Sequence, residues 1–251
     1  MIICDTPQSF QKWRQQNRDV TLGFVPTMGA LHAGHGELLK RAVAENDLAA
    51  LSIFVNPTQF NDPKDLEKYP RTIEEDIALT QKLGVHCLFL PTPENMYPQG
   101  YHYKVIEDDF SRSLCGAHRS GHFDGVLTVV LKLLNLANAD RAYFGEKDYQ
   151  QLELIRGMVR DFFIQTEIIG LPTVREEDGL ALSSRNRRLS PEERALAPLI
   201  FKTIRESSSA LEAQKTLTAA GFTVDYVVDK GGRRYVAAFL GNVRLIDNVQ
   251  I

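Results

Sequence analysis

The chain has 251 residues, of which 43% are hydrophobic and 24% charged. At about 150 residues for a typical domain this is enough for one or two folded domains, and it excludes intrinsic disorder. With 29 Lys plus Arg against 32 Asp plus Glu, the net charge of −3 excludes a protein that binds nucleic acid through a strongly basic surface.

The cysteines and the N-terminus predict a cytoplasmic location. Cys4, Cys87 and Cys115 are far apart and form no CxxC pair, which favours three reduced thiols over a disulfide framework or a structural zinc site. The first residues show no signal peptide, and no apolar stretch reaches the ~20 residues that span a bilayer. We therefore expect neither a nucleic acid nor a membrane as partner.

Strand-like and helix-like segments alternate through the first two-thirds of the chain. The predicted strands are residues 22–25, 48–55, 85–90, 141–144 and 165–170, and the predicted helices are residues 34–46, 72–83, 125–137 and 148–162. The strands are apolar throughout rather than alternating, which indicates a parallel α/β sheet of Rossmann type. Ligands bind at the carboxyl ends of such strands, so functional residues are expected just after Val25, Val55 and Phe144.

Two segments of this first region have a distinctive composition. Thr72 is a candidate N-cap for its helix, and the acids at 74–76 suit the positive end of that helix. Residues 57–71 form a long, polar loop bounded by prolines, which is typical of a lid or a disordered segment.

The pattern changes after residue 171. A helix is predicted at 191–205 with Ser190 as its N-cap, and another ends at 216–220 before Gly221. Short strands at 223–228, 235–240 and 243–246 follow. The sequence thus predicts two domains: residues 1–171, a Rossmann-like domain with a parallel sheet, and residues 172–251, a small α+β domain with an antiparallel sheet.

The segment PTMGALHAGH at 26–35 places two histidines, His32 and His35, where the first predicted strand passes into a helix. A helix N-terminus offers free N–H groups and partial positive charge to a phosphate. Gly29 and Gly34 would let a nucleotide approach closely. The alternatives are capping or core histidines, or a zinc pair, which would more often have acidic or cysteine partners.

Three further sets of residues are candidates for the same chemistry. Lys147 and Asp148, after a later strand, could meet phosphate and ribose, or could be a solvated turn. Ser183, Ser184 and Arg185 could hold a departing pyrophosphate, or could be a polar loop. Finally, the amides of Gln59 and Gln151 could bind a hydroxy acid, although either could by default be a surface residue.

Taken together, these segments resemble the pantothenate synthetase (pantoate–β-alanine ligase) family. The similar stretches are PTMGALHAGH, FVNPTQF, YPRT, GHFDGVLTVVLKLLN, AYFGEKDYQQLELIRGMVRD and LALSSRNRRLS, in the family's order, over most of residues 21–193. The resemblance implies that residues 1–171 are an ATP- and pantoate-binding domain and that residues 172–251 are a small lid domain. It also implies a cytoplasmic homodimer of the pantothenate and coenzyme A biosynthetic route. It also implies ATP with Mg²⁺, (R)-pantoate and β-alanine as substrates, with the Mg²⁺ carried by ATP rather than by a metal site of the protein.

The same resemblance implies the site residues. The catalytic set is His32, His35, Lys147 and Arg185, with His35 as an acid near the phosphates. The ATP-binding set is Met28, Gly29, Ala30, Leu31, His32, Ala33, Gly34, His35, Gly145, Glu146, Lys147, Asp148, Val174, Leu182, Ser183, Ser184 and Arg185. The substrate-binding set is Gln59, Gln151 and Asn56, with Tyr69 and Arg119 as further candidates.

The chain departs from the family pattern at a few positions. Gly36 follows His35 where an apolar residue is usual, which should loosen the first helical turn. Ser120 stands where proline is common, and beyond residue 207 only RLIDN at 244–248 is similar. These departures leave the proposed ligands in place.

The expected reaction passes through pantoyl adenylate. Pantoate's ionised carboxylate would attack the α-phosphorus of ATP, and β-alanine's amine would then displace AMP. No residue is an obvious base for that amine. Competing interpretations are a nucleotidyltransferase acting on a phosphate monoester, a fragment of a class I tRNA synthetase, and a non-catalytic ATP-binding module.

Overall fold

A computed structural model describes all residues, 1–251. Six strands form one sheet, and every neighbouring pair in it is parallel. The strands are β1 (Ile2–Cys4), β2 (Leu22–Thr27), β3 (Leu48–Ile53), β4 (Cys87–Phe89), β5 (Arg141–Gly145) and β6 (Glu167–Leu171). A second, antiparallel sheet consists of β7 (Thr223–Lys230), β8 (Arg233–Leu240) and β9 (Val243–Gln250). The predicted fold class is confirmed.

Helices connect the strands and cover the sheets. They are α1 (Pro7–Gln16), α2 (Ala33–Glu45), α3 (Pro63–Glu67), α4 (Ile73–Lys82), α5 (Pro93–Met96), α6 (Cys115–His118), α7 (His122–Ala137), α8 (Tyr149–Asp161), α9 (Pro191–Leu196), α10 (Leu199–Glu206) and α11 (Ala210–Ala219). Short 3-10 helices lie at Pro57–Gln59, Phe110–Arg112, Glu146–Asp148 and Ser184–Arg188. No helix combines the length and apolarity that a membrane crossing requires.

The order of the strands in the large sheet positions a ligand crevice. The order is β1-β4-β3-β2-β5-β6, so the chain builds outward from β2 on one side and then continues from β5 on the other. In open α/β sheets, ligands bind at the carboxyl ends of strands where the order reverses in this way. The crevice is therefore expected beyond the ends of β2 and β5.

Apolar side chains fill both faces of the large sheet and a separate core under the small one. Helix α7 is buried along most of its length, which explains its nearly continuous apolar sequence. On the same side, the stacked rings of Phe10 and Phe89 lie 4.6 Å apart. A different set of side chains, including Ile200, Leu217 and Val236, packs beneath β7–β9. The division into two domains at residue 171 stays a prediction, which the two separate cores support.

Several predicted elements differ in the structure. The helix predicted at 191–205 is two helices, because Pro198 has no N–H to donate to the carbonyl four residues earlier. The supposed loop 57–71 contains a 3-10 turn and α3. Strand β4 is three residues long instead of six, and each strand of the small sheet is longer than predicted.

Strand β1 and helix α1 were missed altogether, although α1 has a clear sequence signal. Thr6 is its N-cap and forms a capping box with Ser9, and Pro7 occupies the first helical turn. Thr72, in contrast, precedes α4 but caps no backbone N–H, because its hydroxyl donates instead to Asp76 Oδ1 at 3.1 Å.

Candidate active site

A cleft of about 260 Å³ opens beyond the carboxyl ends of β2 and β5. Residues following β2, β3 and β5 all line it, as the strand order predicts. Its walls also include the start of α2, one face of α7 and the polar turn that begins at Ser183. The cleft therefore brings together segments from both the predicted domains.

The turn between β2 and α2 has an unusual backbone held by a distant carboxylate. Gly29 and Ala30 have positive φ values of 80° and 50°, the left-handed region that costs energy for alanine. Buried Asp76 of α4 accepts hydrogen bonds from the N–H groups of Ala30 and Leu31, each at 2.8 Å. Asp76 thus stabilises the strained turn that leads into the histidines.

His32 and His35 form a capping box at the start of α2. His32 Nδ1 accepts from the N–H of Gly34 at 3.2 Å, and His35 Nδ1 accepts from the N–H of His32 at 3.3 Å. An Nδ1 atom that accepts carries no proton, so each neutral ring has its proton on Nε2. The capping interpretation and the functional one are therefore compatible, because one nitrogen caps while the other remains a donor.

Burial keeps both rings neutral. Burial is the largest cause of the shifts that lower the pKa of His32 to about 4 and the pKa of His35 to about 3. The nearby positive charge of Lys147 also contributes to both shifts. At neutral pH each imidazole therefore offers an Nε2–H hydrogen bond rather than a positive charge. The expected acid role of His35 is thus better described as hydrogen-bond donation.

The positive charge in the cleft comes from Lys147 and Arg185. Lys147 Nζ lies 3.6 Å from Asp148 Oδ2, and the Asp148 side chain is 48% exposed. Although desolvation raises the pKa of Asp148, Lys147 and Arg185 outweigh it, so the pKa is lowered and the carboxylate stays ionised. Arg185 also pairs with Asp65 of α3 at 3.6 Å. A cation-rich site of this kind suits an anionic ligand.

Gln59 is held in place by three side chains, one from Asn56 at the start of its own turn and two from Arg119 and His122. Asn56 Nδ2 donates to Gln59 Oε1 at 3.0 Å, and His122 Nδ1 donates to the Gln59 carbonyl at 2.8 Å. Arg119 donates to that carbonyl at 3.3 Å and to His122 Nε2 at 3.0 Å. Gln59 Nε2 faces only the Met28 sulfur, a weak acceptor at 3.3 Å, so it retains donor capacity for a ligand.

Two of the predicted residues therefore act on Gln59. The buried amide of Asn56 is bonded to Gln59, to the Gly125 carbonyl and, through its oxygen, to the Tyr97 hydroxyl. Arg119 is not on the cleft wall, and burial lowers its pKa to about 10, which leaves it charged at neutral pH. Both residues position Gln59.

The cleft wall contains most of the predicted site residues. These are Met28, His32, Gly34, His35, Asn56, Gln59, Tyr69, Gly145, Lys147, Asp148, Gln151, Val174, Leu182, Ser183, Ser184 and Arg185. Among the rest, Ala30 and Leu31 are buried with Gly29 in the turn behind the wall, and Ala33 is exposed at the start of α2. The Glu146 carboxylate lies toward Gly170 of β6.

The prediction missed an apolar wall of the cleft. Val126, Val129, Val130 and Leu133 of α7 line it at i, i+3, i+4 and i+7 spacing. That spacing is visible in the sequence, but it equally describes an ordinary core helix. Thr173 and Glu37 were also missed, and no sequence signal distinguishes them.

Few groups on the cleft wall could ligate a metal ion. The carboxylates on its wall are Glu37 and Asp148, and no group of three His, Cys, Asp or Glu side chains is placed to hold a metal ion. The histidine Nδ1 atoms are occupied by backbone N–H groups.

The comparisons with known proteins agree on one family. The model of the family described as pantoate–β-alanine ligase matches residues 2–250. The pantothenate synthetase of Bdellovibrio bacteriovorus is 62% identical over 249 residues, 99% of each chain, and that of Legionella pneumophila is 50% identical over 230 residues, 92% of this chain and 91% of the other.

Solved structures are similar over the whole chain. The Francisella tularensis pantoate–β-alanine ligase, crystallised with beta-gamma ATP and β-alanine, superposes with a TM-score of 0.95 at 42% identity and covers 100% of this chain and 97% of its own. The Thermus thermophilus pantothenate synthetase has a TM-score of 0.92 at 41% identity and covers 100% and 99%.

Proposed function

Since the chain belongs to the pantoate–β-alanine ligase family, it is a ligase that joins pantoate to β-alanine using ATP, and we propose that it does so through a pantoyl adenylate formed in the cleft. The observation that carries the proposal is that one cleft is lined by three kinds of functional group: neutral imidazole donors, cations and side-chain amides. The products are pantothenate, AMP and pyrophosphate.

The phosphate end of the cleft would bind ATP. The Nε2–H groups of His32 and His35 donate to phosphate oxygens, and Lys147 and Arg185 offset the negative charge that keeps pantoate and ATP apart. Ser183 and Ser184 add hydroxyl donors on the same wall. Mg²⁺ would enter with the triphosphate and supply further charge neutralisation.

The amide end would bind pantoate. Gln59 and Gln151 can hydrogen-bond its hydroxyl and carboxylate groups, and the valines of α7 suit its dimethyl-substituted carbon. Held in line with the α-phosphorus, the carboxylate attacks and pyrophosphate leaves. The amine of β-alanine then attacks the acyl carbon of the adenylate, and AMP leaves.

Pantoate-dependent exchange of labelled pyrophosphate into ATP tests the adenylate. Exchange that requires pantoate but not β-alanine supports the proposal, and exchange driven by a phosphate monoester would favour a nucleotidyltransferase instead. No exchange at all would favour the non-catalytic ATP-binding module. Substituting Gln151→Ala should raise the pantoate concentration needed for exchange, whereas Gln214→Ala, on the exposed surface of α11, should not.

Assembly and location are part of the same proposal. We expect a homodimer, so light scattering should give twice the chain mass of 28.3 kDa, and a mass of one chain would contradict it. The three free cysteines suit a cytoplasmic enzyme.

A further inference from the structure

The last strand of the chain passes behind the turn that carries Lys147. Asn248 of β9 is buried, with 4% of its surface exposed. Its side-chain Nδ2 donates to the carbonyl of Glu146 at 2.9 Å and to the carbonyl of Lys147 at 3.0 Å. A residue about a hundred positions away in sequence therefore contacts the backbone of the proposed phosphate-binding turn.

These two hydrogen bonds act on the peptide groups on either side of Lys147. The Glu146 carbonyl belongs to the peptide plane before the Lys147 Cα, and the Lys147 carbonyl belongs to the plane after it. Because the orientations of these two planes define φ and ψ of Lys147, fixing both also fixes the direction in which its side chain leaves the backbone. The side-chain amide of Asn248 thus sets the direction of the first bond of the Lys147 side chain.

Asn248 is itself held rigidly. Its Oδ1 accepts from Arg233 Nη1 at 2.5 Å, which identifies the other side-chain atom as the donor to the carbonyls. The Arg233 guanidinium in turn lies over the Tyr149 ring at 3.7 Å. The Asn248 backbone N–H donates to Asp247 Oδ1 at 2.8 Å, and Asp247 is fixed by Arg175.

We propose that Asn248 is a positioning residue for adenylation, acting through the backbone of Lys147. The inference rests on the proposed function, in which Lys147 meets the phosphates of ATP. It gives the RLIDN segment, which lies off the wall of the cleft, a role in the chemistry. The C-terminal sheet sets the geometry of a catalytic turn in the other half of the chain.

The first test uses two substitutions in the full-length enzyme. Asn248→Ala removes both donors and should lower pantoate-dependent exchange ~10–100-fold at saturating substrates, with the KM for pantoate close to native. Asn248→Asp keeps the side-chain volume and the contact with Arg233 but turns a carboxylate toward the two carbonyls. It should lose at least as much activity as Asn248→Ala, because the carboxylate repels both carbonyl oxygens, and circular dichroism checks that the variant is folded.

A control separates positioning from stability. Leu217→Ala creates a cavity in the core beneath the small sheet, away from the turn, and should lower the melting temperature with exchange at the native rate. If Asn248→Ala and Asn248→Asp also lose only thermal stability and exchange at the native rate, the positioning role is wrong.

A double-mutant cycle tests whether the effect passes through Lys147. If it does, Asn248→Ala should change exchange little in a Lys147→Ala background, whereas fully multiplied losses would overturn the proposal. Native exchange by Lys147→Ala alone would overturn the phosphate role of Lys147 and the inference with it. If Lys147→Ala is impaired while Asn248→Ala is fully active, the positioning role of Asn248 is wrong and the phosphate role of Lys147 stands.

Discussion

At the scale of single residues, the two cleft histidines each divide their functions between two ring nitrogens. Nδ1 of each accepts a backbone N–H at the start of α2, so the proton sits on Nε2. This arrangement makes a neutral donor available without protonation, and burial, which lowers the pKa values to about 4 and about 3, preserves it across the physiological range.

We expect His35→Ala to leave the protein folded and to slow adenylate formation by ~10²-fold or more, the scale for losing one donor to a transition state. Single-turnover formation of the adenylate measures the rate, and circular dichroism checks the fold. The matched control is His102→Ala, since His102 is exposed and lies off the cleft wall. A native rate in His35→Ala would remove this histidine from the chemistry.

His122 should make stability depend on pH. Burial, with Arg119, lowers its pKa to about 3, against about 6.5 in the unfolded chain. Between these two pKa values the unfolded chain binds a proton at this histidine and the folded chain does not. The contribution of His122 to the free energy of unfolding is therefore complete above about pH 6.5 and is lost progressively as the pH falls below it. At pH 5 the loss from this one group is about 2 kcal/mol.

The substitution His122→Asn isolates that contribution, because the asparagine amide can still donate to the Gln59 carbonyl but does not titrate in this range. Urea unfolding at pH 7.5 and pH 5 should show native protein losing about 2 kcal/mol more than the variant. Equal losses would mean that His122 is not held neutral in the folded chain.

At the scale of elements, α7 positions the substrate-binding residue Gln59 through a close backbone contact. A Cβ atom on Gly125 would lie 2.5 Å from the Thr58 carbonyl oxygen and 2.8 Å from the Gln59 nitrogen. Only glycine therefore lets the Pro57–Gln59 turn rest on the helix, and this contact fixes the position of Gln59.

Gly125→Ala should displace that turn, raise the KM for pantoate and destabilise the fold by roughly 1–3 kcal/mol, the range for overpacking. Gly36→Ala is the matched control. A Cβ atom there meets only Leu83 Cδ1, at an ordinary 3.9 Å, so alanine in α2 should stabilise the protein by about 0.5–1 kcal/mol. Steady-state kinetics measure the KM for pantoate of both variants, and urea unfolding measures their stability. An unchanged pantoate KM in Gly125→Ala would contradict the proposed role of the turn.

At the scale of the whole molecule, an ion-pair network joins α3 to the turn at Ser184–Arg188. Asp65 lies 3.6 Å from Arg185, which lines the cleft, and 3.1 Å from Arg188. Closure over the proposed adenylate would exclude water, and these pairs are suited to holding the segment around α3 in place for that closure.

We expect Asp65→Asn to cost less than about 1 kcal/mol of stability, as is usual for partly exposed pairs, yet to let water reach the adenylate. The variant should therefore form more AMP than pantothenate, while native enzyme forms the two in equal amounts; chromatography of both products measures the ratio. Asp161→Asn, which alters an exposed pair at the end of α8, should leave the ratio unchanged. Equal product amounts from Asp65→Asn would show that the pairs do not protect the intermediate.

The fold class and much of the polar part of the cleft wall could be predicted from the amino-acid sequence alone. Apolar strands alternating with helices imply a parallel sheet, and in such a sheet the residues after each strand share one edge; this is why the segments after Val25 and Phe144 could be assigned to one site. Two local features were not predicted: the break between α9 and α10 at Pro198, and helix α3 within the predicted loop.

The contacts that hold the site in place could be seen only in the folded chain. Asp76 supports the histidine turn from α4, Arg119 and His122 clamp the Gln59 carbonyl, and Asn248 fixes the turn of Lys147. Each of these contacts is a hydrogen bond from or to a backbone group, and most join residues far apart in the chain. Backbone groups are the same in every residue, so the sequence pattern does not show which polar side chain will meet which of them once the sheets and helices pack.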